Sequence, residues 1–128
     1  MTKTFRRPTD AELAILQVLW DHGPMSVRDV QQMLDREKPT GYTTALKLMQ
    51  IMTTKRLVVR DDSVRPQIYR AAAAREQMQR QILRDLARRA FGGSVNALVL
   101  QALATKHSSP AELQAMERLL SRFEQEEK

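Results

Sequence analysis

One short stretch of the sequence carries hydroxyl, amide and cationic side chains close to a single face of a predicted helix: Thr43, Thr44, Lys47 and Gln50. Residues three, four and seven positions apart share such a face. Threonine hydroxyls bind phosphates or base edges, glutamine pairs with adenine, and lysine reaches guanine or a phosphate. The set therefore predicts contact with double-stranded DNA, against the alternative of an ordinary solvated helix face. Tyr42 at the helix start has two open interpretations, a phosphate contact through its hydroxyl or a cap that packs on the preceding loop.

Three arginines mark a second candidate contact, a predicted β-hairpin: Arg60, Arg65 and Arg70. An arginine beside a phosphate or in a narrow minor groove gains from the local negative potential. Charged residues on an edge strand also prevent sheets from aggregating, which is the alternative interpretation. We favour the DNA contact here. The arginines between residues 75 and 89 are better interpreted as a solvated helix face, because apolar residues interleave with them.

Capping signals and apolar periodicity predict the elements that position these side chains. The capping box Thr9-Asp10-Ala11-Glu12 begins a first helix, and Gly23-Pro24 ends it after His22. The next elements are a helix that is capped by Ser26 and stops before Pro39, a helix over residues 43–56, and strands over residues 57–60 and 67–70 joined by a turn. This order is that of a winged helix-turn-helix, in which the third helix enters the major groove.

The rest of the chain is predicted to be helical, over residues 74–90, after the cap Ser94, and from Pro110 onward. Its apolar side chains form ridges at helical spacing: Met78, Ile82, Leu86, Val95, Leu98, Val99, Leu103, Leu113, Met116, Leu120 and Phe123. Three helices of this length rarely make a stable core alone. The sequence therefore predicts a mainly α protein with a small β-hairpin wing, organised as a DNA-binding domain over residues 1–73 and a helical homodimerisation domain over residues 74–128. A ligand pocket is the alternative use of the ridges.

Composition narrows the function further. The 128 residues carry a net charge of +6, which favours a polyanionic partner. The absence of cysteine excludes disulfides, thiolate metal sites, iron–sulfur clusters and cysteine nucleophiles. His22 and His107 have no metal-binding or catalytic setting, so we expect no enzyme, no cofactor and no metal. With no long apolar run and no signal-peptide core, we expect a cytoplasmic protein without membrane insertion.

Several segments, taken in order, resemble the penicillinase and methicillin-resistance repressors of the BlaI/MecI family. The resemblance covers roughly residues 8–123 and is carried by their order and spacing together. The segments are Pro8-Thr9-Asp10-Ala11-Glu12-Leu13, Leu19-Trp20, Gly23-Pro24-Met25-Ser26-Val27, Tyr42-Thr43-Thr44, Lys55-Arg56-Leu57-Val58, Phe91-Gly92-Gly93-Ser94-Val95 and Leu98-Val99. The resemblance implies a dimeric winged-helix repressor that binds a dyad-symmetric operator of a β-lactam-resistance or related stress operon. It also implies a membrane sensor and a regulatory protease as partners.

The chain departs from the family pattern at two places. The family is cut at an Asn-Phe bond, whereas this chain has Gln101-Ala102 in the corresponding context, so a protease specific for Asn-Phe is not expected to act here. Arg56 stands where the family has glycine in a Lys-Gly-Leu turn, which implies strain if that position needs a positive φ. Two other functions stay open, a winged-helix protein-interaction module and a MarR-like ligand-responsive regulator. The MarR-like arrangement ranks lower because few residues precede the first helix.

Overall fold

A computed structural model describes residues 6–105 and 108–126 of the chain. Within these residues, six helices and one antiparallel hairpin confirm a mainly α fold with a small β wing. The elements are α1 (Asp10–His22), α2 (Val27–Asp35), α3 (Tyr42–Thr54), β1 (Val58–Asp61), β2 (Ile68–Ala71), α4 (Arg75–Ala90), α5 (Val95–Thr105) and α6 (Pro110–Glu126). The chain divides into two compact units, residues 1–82 and 83–128, and α4 spans the division. The functional domains proposed over residues 1–73 and 74–128 stay a prediction.

The predicted helix starts are confirmed by their capping hydrogen bonds. At α1 the Glu12 amide donates to the Thr9 hydroxyl over 3.2 Å, and the Thr9 amide donates to the Glu12 carboxylate over 2.8 Å. The Ser26 hydroxyl accepts from the Asp29 amide at the start of α2. These side chains satisfy amides that the first helical turn leaves without an intrahelical partner.

The core of the N-terminal unit lies where α1, α2, α3 and the hairpin meet. Ile15, Leu16, Val30 and Met49 are fully buried there, and Tyr69 of β2 joins them. Met25, in the connection between α1 and α2, forms a bridge with Tyr69 through backbone hydrogen bonds of 3.0 and 2.8 Å. The wing is therefore attached to the helical body by backbone bonds as well as by side-chain packing.

The end of α3 explains why β1 begins one residue later than predicted. Arg56 has a φ of 64°. Its amide donates to the Thr53 carbonyl, and the Leu57 amide donates to the Met52 carbonyl over 2.9 Å. These two bonds are a Schellman motif, which ends the helix at a residue in the left-handed region. Since the Leu57 amide is used by this helix end, the strand begins at Val58, and the helix predicted to reach residue 56 ends at Thr54.

The positive φ of Arg56 leads to a stability prediction. A non-glycine residue in this region of φ destabilises the folded state by about 1–2 kcal/mol. Glycine removes this strain, but part of the gain is lost because glycine has greater conformational freedom in the unfolded chain. We expect Arg56→Gly to raise the free energy of unfolding by about 0.5–1 kcal/mol, measured by urea denaturation. The matched control is Arg36→Gly at the end of α2, where φ is −63°. Glycine should destabilise the protein there, and equal effects at the two positions would contradict the strain argument.

The C-terminal unit begins within α4 and contains α5 and α6. In α4, Asp85 forms ion pairs with Arg88 over 2.6 Å and with Arg89 over 3.5 Å. The Ser94 hydroxyl caps α5, and a capping box between Ser109 and Glu112 begins α6, as the sequence predicts. None of the described helices is both long enough and apolar enough to cross a membrane.

Candidate nucleic-acid interface

The two faces of α3 differ sharply in burial. Ala45, Met49 and Met52 on the inner face are fully buried in the N-terminal core. The five α3 side chains predicted to contact DNA are all exposed: Tyr42, Thr43, Thr44, Lys47 and Gln50. The packed methionines therefore fix the rotation of α3 about its axis, and this rotation presents the predicted side chains to solvent. Their role in DNA binding stays a prediction.

The connection before α3 is fixed by hydrogen bonds to Thr40. The Gln31 amide group donates to the Thr40 carbonyl over 2.8 Å, and the Thr40 amide donates to the Asp35 carboxylate over 2.9 Å. Gln31 and Asp35 both lie on α2. The start of α3 is thereby held against α2, as required of a helix that presents side chains in a defined geometry.

Arg28 is a candidate contact residue that the sequence analysis missed. Its guanidinium lies 5.6 Å from the centre of the Tyr42 ring, a cation–π arrangement that links the starts of α2 and α3. A signal for it exists in the sequence. Arg28 occupies the first turn of α2, where the helix dipole disfavours a positive charge. A cation that stands in an unfavourable position is a reason to look for an anionic partner.

The wing places its three predicted arginines differently. Arg60 lies within β1 and pairs with the Asp62 carboxylate over 2.6 Å, and Arg65 lies in the turn and donates to the Asp62 carbonyl over 3.1 Å. Arg70 is exposed on β2, opposite Val59 in the register. Hydrogen bonding to Tyr69 and then to Asp62 raises the pKa of Arg60 above the ordinary arginine value.

Carboxylates at the wing tip oppose part of its positive charge. Hydrogen bonds from the Ser63 hydroxyl and amide, over 2.6 and 2.9 Å, lower the pKa of Asp61. Asp61 is therefore charged near neutral pH. The wing is therefore a mixed surface of three arginines and two aspartates, whereas the exposed face of α3 carries one cation, Lys47, and no acid.

A partly buried ion pair anchors the far end of α3 to α1. Lys55 donates to the Glu12 carboxylate over 2.9 Å, and Glu12 is 1% exposed. Burial raises the pKa of Glu12, but the hydrogen bond from the Thr9 amide and the bond and charge of Lys55 outweigh it, so the pKa is lower than usual. The capping box predicted the bond to Thr9 and not the pairing with Lys55.

This ion pair leads to a pH prediction. Because the pKa of Glu12 is lower in the folded state, its contribution is complete above the ordinary glutamate pKa of about 4.3 and is lost as pH falls through the folded value. We expect Glu12→Gln to lower the free energy of unfolding at neutral pH by about 1.5–3 kcal/mol and to have a smaller effect in acid. Urea denaturation at both pH values measures this. Glu112→Gln, at the equivalent position of the exposed capping box of α6, should change little, and equal losses at both sites would contradict the role of Lys55.

The residues predicted to mediate dimerisation fall into two groups. Met78 is buried in the N-terminal core, and Ile82 packs partly against that core. In the C-terminal unit, Leu98 and Met116 are half-buried within a single chain. The others are exposed: Leu86, Val95, Val99, Leu103, Leu113, Leu120 and Phe123. A single chain therefore leaves most of this apolar surface uncovered, and α5 contains no buried residue.

The chain is similar to one family model and to solved structures. A family model described as penicillinase repressor matches residues 8–122 of the chain. A solved structure of a MarR family protein from Bacillus stearothermophilus is 21% identical, covers 94% of this chain and 76% of its own, and superposes with a TM-score of 0.47. No curated protein sequence matches the chain.

Proposed function

The chain belongs to the penicillinase repressor family of winged-helix transcriptional regulators, and from this premise we propose that it binds a dyad-symmetric DNA operator as a homodimer and represses transcription there. Each protomer places α3 in a major groove. The two grooves are separated by about one helical turn of 10–10.5 base pairs, or a multiple of it. The genes controlled are those of a β-lactam-resistance or related stress operon, and the repressor acts in the cytoplasm.

The exposed face of α3 is the observation that carries this proposal. It presents hydroxyls, an amide and one ammonium group, and the sequence of α3 contains no aspartate or glutamate at all. A solvated helix commonly carries paired acids and bases. A face without acids, at the end of a helix-turn-helix, suits phosphates and base edges better than bulk water.

The exposed apolar residues of the C-terminal unit support the homodimer. Leu100 is 68% exposed, Leu120 59% and Phe123 55% in a single chain. So many large apolar side chains left exposed in one unit are typical of a surface that another protein covers. A second copy buries the same surface by a two-fold axis, which also generates the symmetry that a dyad operator requires.

Release from the operator does not use the family's Asn-Phe cleavage. Gln101 and Ala102 occupy the corresponding place, and both are exposed within α5. A regulatory protease that acts on this chain therefore has to recognise a different bond. A membrane sensor remains a proposed partner through the family membership alone.

The proposal is tested by operator binding at several salt concentrations. If the dimer neutralises about six to ten phosphates, binding to DNA from its own promoter region should weaken about 10³- to 10⁵-fold between about 50 and 200 mM salt. Footprinting should show two protected half-sites on the same side of the duplex. An affinity that is independent of salt, or a footprint without dyad symmetry, would contradict the proposal.

A further inference from the structure

The N-terminal unit contains a cavity that the DNA interface does not use. Its volume is about 740 Å³, and its walls come from the turn after α3, the chain after β2, the first turns of α4 and Arg6. Sites for small organic ligands usually measure about 300–1,000 Å³. None of the five side chains on the exposed face of α3 lines it.

Apolar side chains line part of the cavity. Leu57 and Met78 contribute to its wall and are 5% and 4% exposed, because both belong to the hydrophobic core of the unit. Ala72 and Ala73, which lie between Leu57 and Met78 in the sequence, add two small apolar side chains to the wall. The apolar surface open to a ligand is therefore mainly that of Ala72 and Ala73, and the buried Leu57 and Met78 hold this wall rigid.

The polar part of the lining is cationic. Arg6, Lys55 and Arg56 reach the cavity, and no aspartate or glutamate is among its lining residues. Lys55 is paired with Glu12, whereas no ion pair is found for Arg6 or Arg56 within the part of the chain that the structure describes. The amides of Gln77 and Gln81 on α4 supply further hydrogen-bonding groups. The cavity therefore carries positive charge beside apolar walls.

We propose that this cavity binds a small organic acid, with its apolar body against Ala72 and Ala73 at the edge of the core and its carboxylate beside Arg56 and Arg6. Arginine binds a carboxylate through two parallel hydrogen bonds, which makes it the natural partner for such a group. An inorganic anion would pair with the arginines but would leave the apolar wall exposed to water. A neutral apolar molecule would cover that wall but would leave the arginines without a negative partner. A DNA backbone offers charge without an apolar body. The site is independent of operator binding, so it can be tested without DNA.

Two acids of different shape test the proposal, each with its neutral amide. They are 2-naphthoate with 2-naphthamide, and octanoate with octanamide. Binding to the full chain is followed by amide chemical shifts and by the fluorescence of Trp20, the single tryptophan. Trp20 is a useful reporter because its indole N–H donates to the carbonyl of Ala73, a lining residue, over 3.0 Å. At least one acid should bind saturably with shifts at Leu57, Ala73 and Gln77, and its amide should bind at least about tenfold more weakly.

Variants assign the binding to the cavity. Arg56→Gln keeps the side-chain length and should weaken the acid about tenfold, and Arg56→Gly should do the same in a protein expected to be more stable. The matched control Arg36→Gln removes an equal charge from the end of α2 and should leave the affinity unchanged. Equal binding of acid and amide, equal effects of the two glutamine variants, or shifts confined to α5 and α6 would overturn the proposal. Failure of both acids to bind would overturn it as well.

Discussion

Replacing Thr44 and Lys47 together by alanine is expected to weaken operator binding by at least about 100-fold while the fold and the oligomeric state survive. Both side chains are exposed on α3, so their removal leaves no cavity in the core. A hydrogen bond to a charged group contributes about 1.5 kcal/mol. Because a dimer makes each contact twice, the loss of Lys47 alone accounts for about 3 kcal/mol, which corresponds to a factor of about 100.

The salt dependence of the same variant separates two kinds of contact. If Lys47 binds a phosphate, its loss lowers the slope of log affinity against log salt concentration by about one for each protomer. Binding to all DNA sequences is then weakened alike. If it binds guanine, the slope changes little, and the variant instead loses discrimination at one base pair in each half-site. Fluorescence anisotropy with an operator and an unrelated duplex, each at several salt concentrations, measures both quantities.

A matched control removes the same chemical groups from elsewhere. Thr105→Ala with Arg118→Ala deletes one hydroxyl and one positive charge from exposed positions of α5 and α6. This variant should bind the operator nearly as the original protein does. If the control loses as much affinity as the α3 variant, net charge rather than the face of α3 determines binding. If neither loses affinity, the chain contacts its partner through another surface.

Local signals in the sequence predicted the helix starts and the orientation of α3. A capping box such as the one at Thr9 and Glu12 involves four consecutive residues, and the exposed and buried faces of α3 follow from its own periodicity. The resemblance to the family also marked Arg56 as a position that is strained if it needs a positive φ, and the structure gives it a φ of 64°. Each of these features depends on residues that are close in sequence.

Contacts between distant residues could not be read in the same way. The bridge between Met25 and Tyr69 and the ion pair between Glu12 and Lys55 each join residues more than forty positions apart. Met78 shows the same limit. Its spacing correctly marks an apolar face of α4, but periodicity does not say which surface covers that face, and the structure places Met78 in the N-terminal core. Apolar periodicity identifies the buried face of a helix, whereas the element that packs against that face is known only from the fold.

Leu120→Glu is expected to convert the proposed dimer into a monomer at micromolar concentration. Leu120 is 59% exposed in a single chain, and glutamate and leucine have similar helix propensities, so the substitution should hardly disturb the isolated protomer. In the dimer it removes two buried leucines, each contributing about 1.5–3 kcal/mol, and places two carboxylates in an apolar interface. The dissociation constant should rise by at least about 10³-fold. Sedimentation equilibrium measures it directly.

Ser121→Glu is the matched control, because it adds the same charge one position along, on the polar side of α6 that also carries Arg118 and Arg122. This variant should remain dimeric. Loss of the dimer in Leu120→Glu should also weaken operator binding, since two linked DNA-binding units profit from an effective concentration that can reach about the millimolar range. The monomer should retain weak binding to an isolated half-site, because α3 and the wing are complete within one chain. A Leu120→Glu protein that stays dimeric would place the dimer interface elsewhere, and one that is monomeric but binds the full operator unchanged would show that the two-fold arrangement is not needed for recognition.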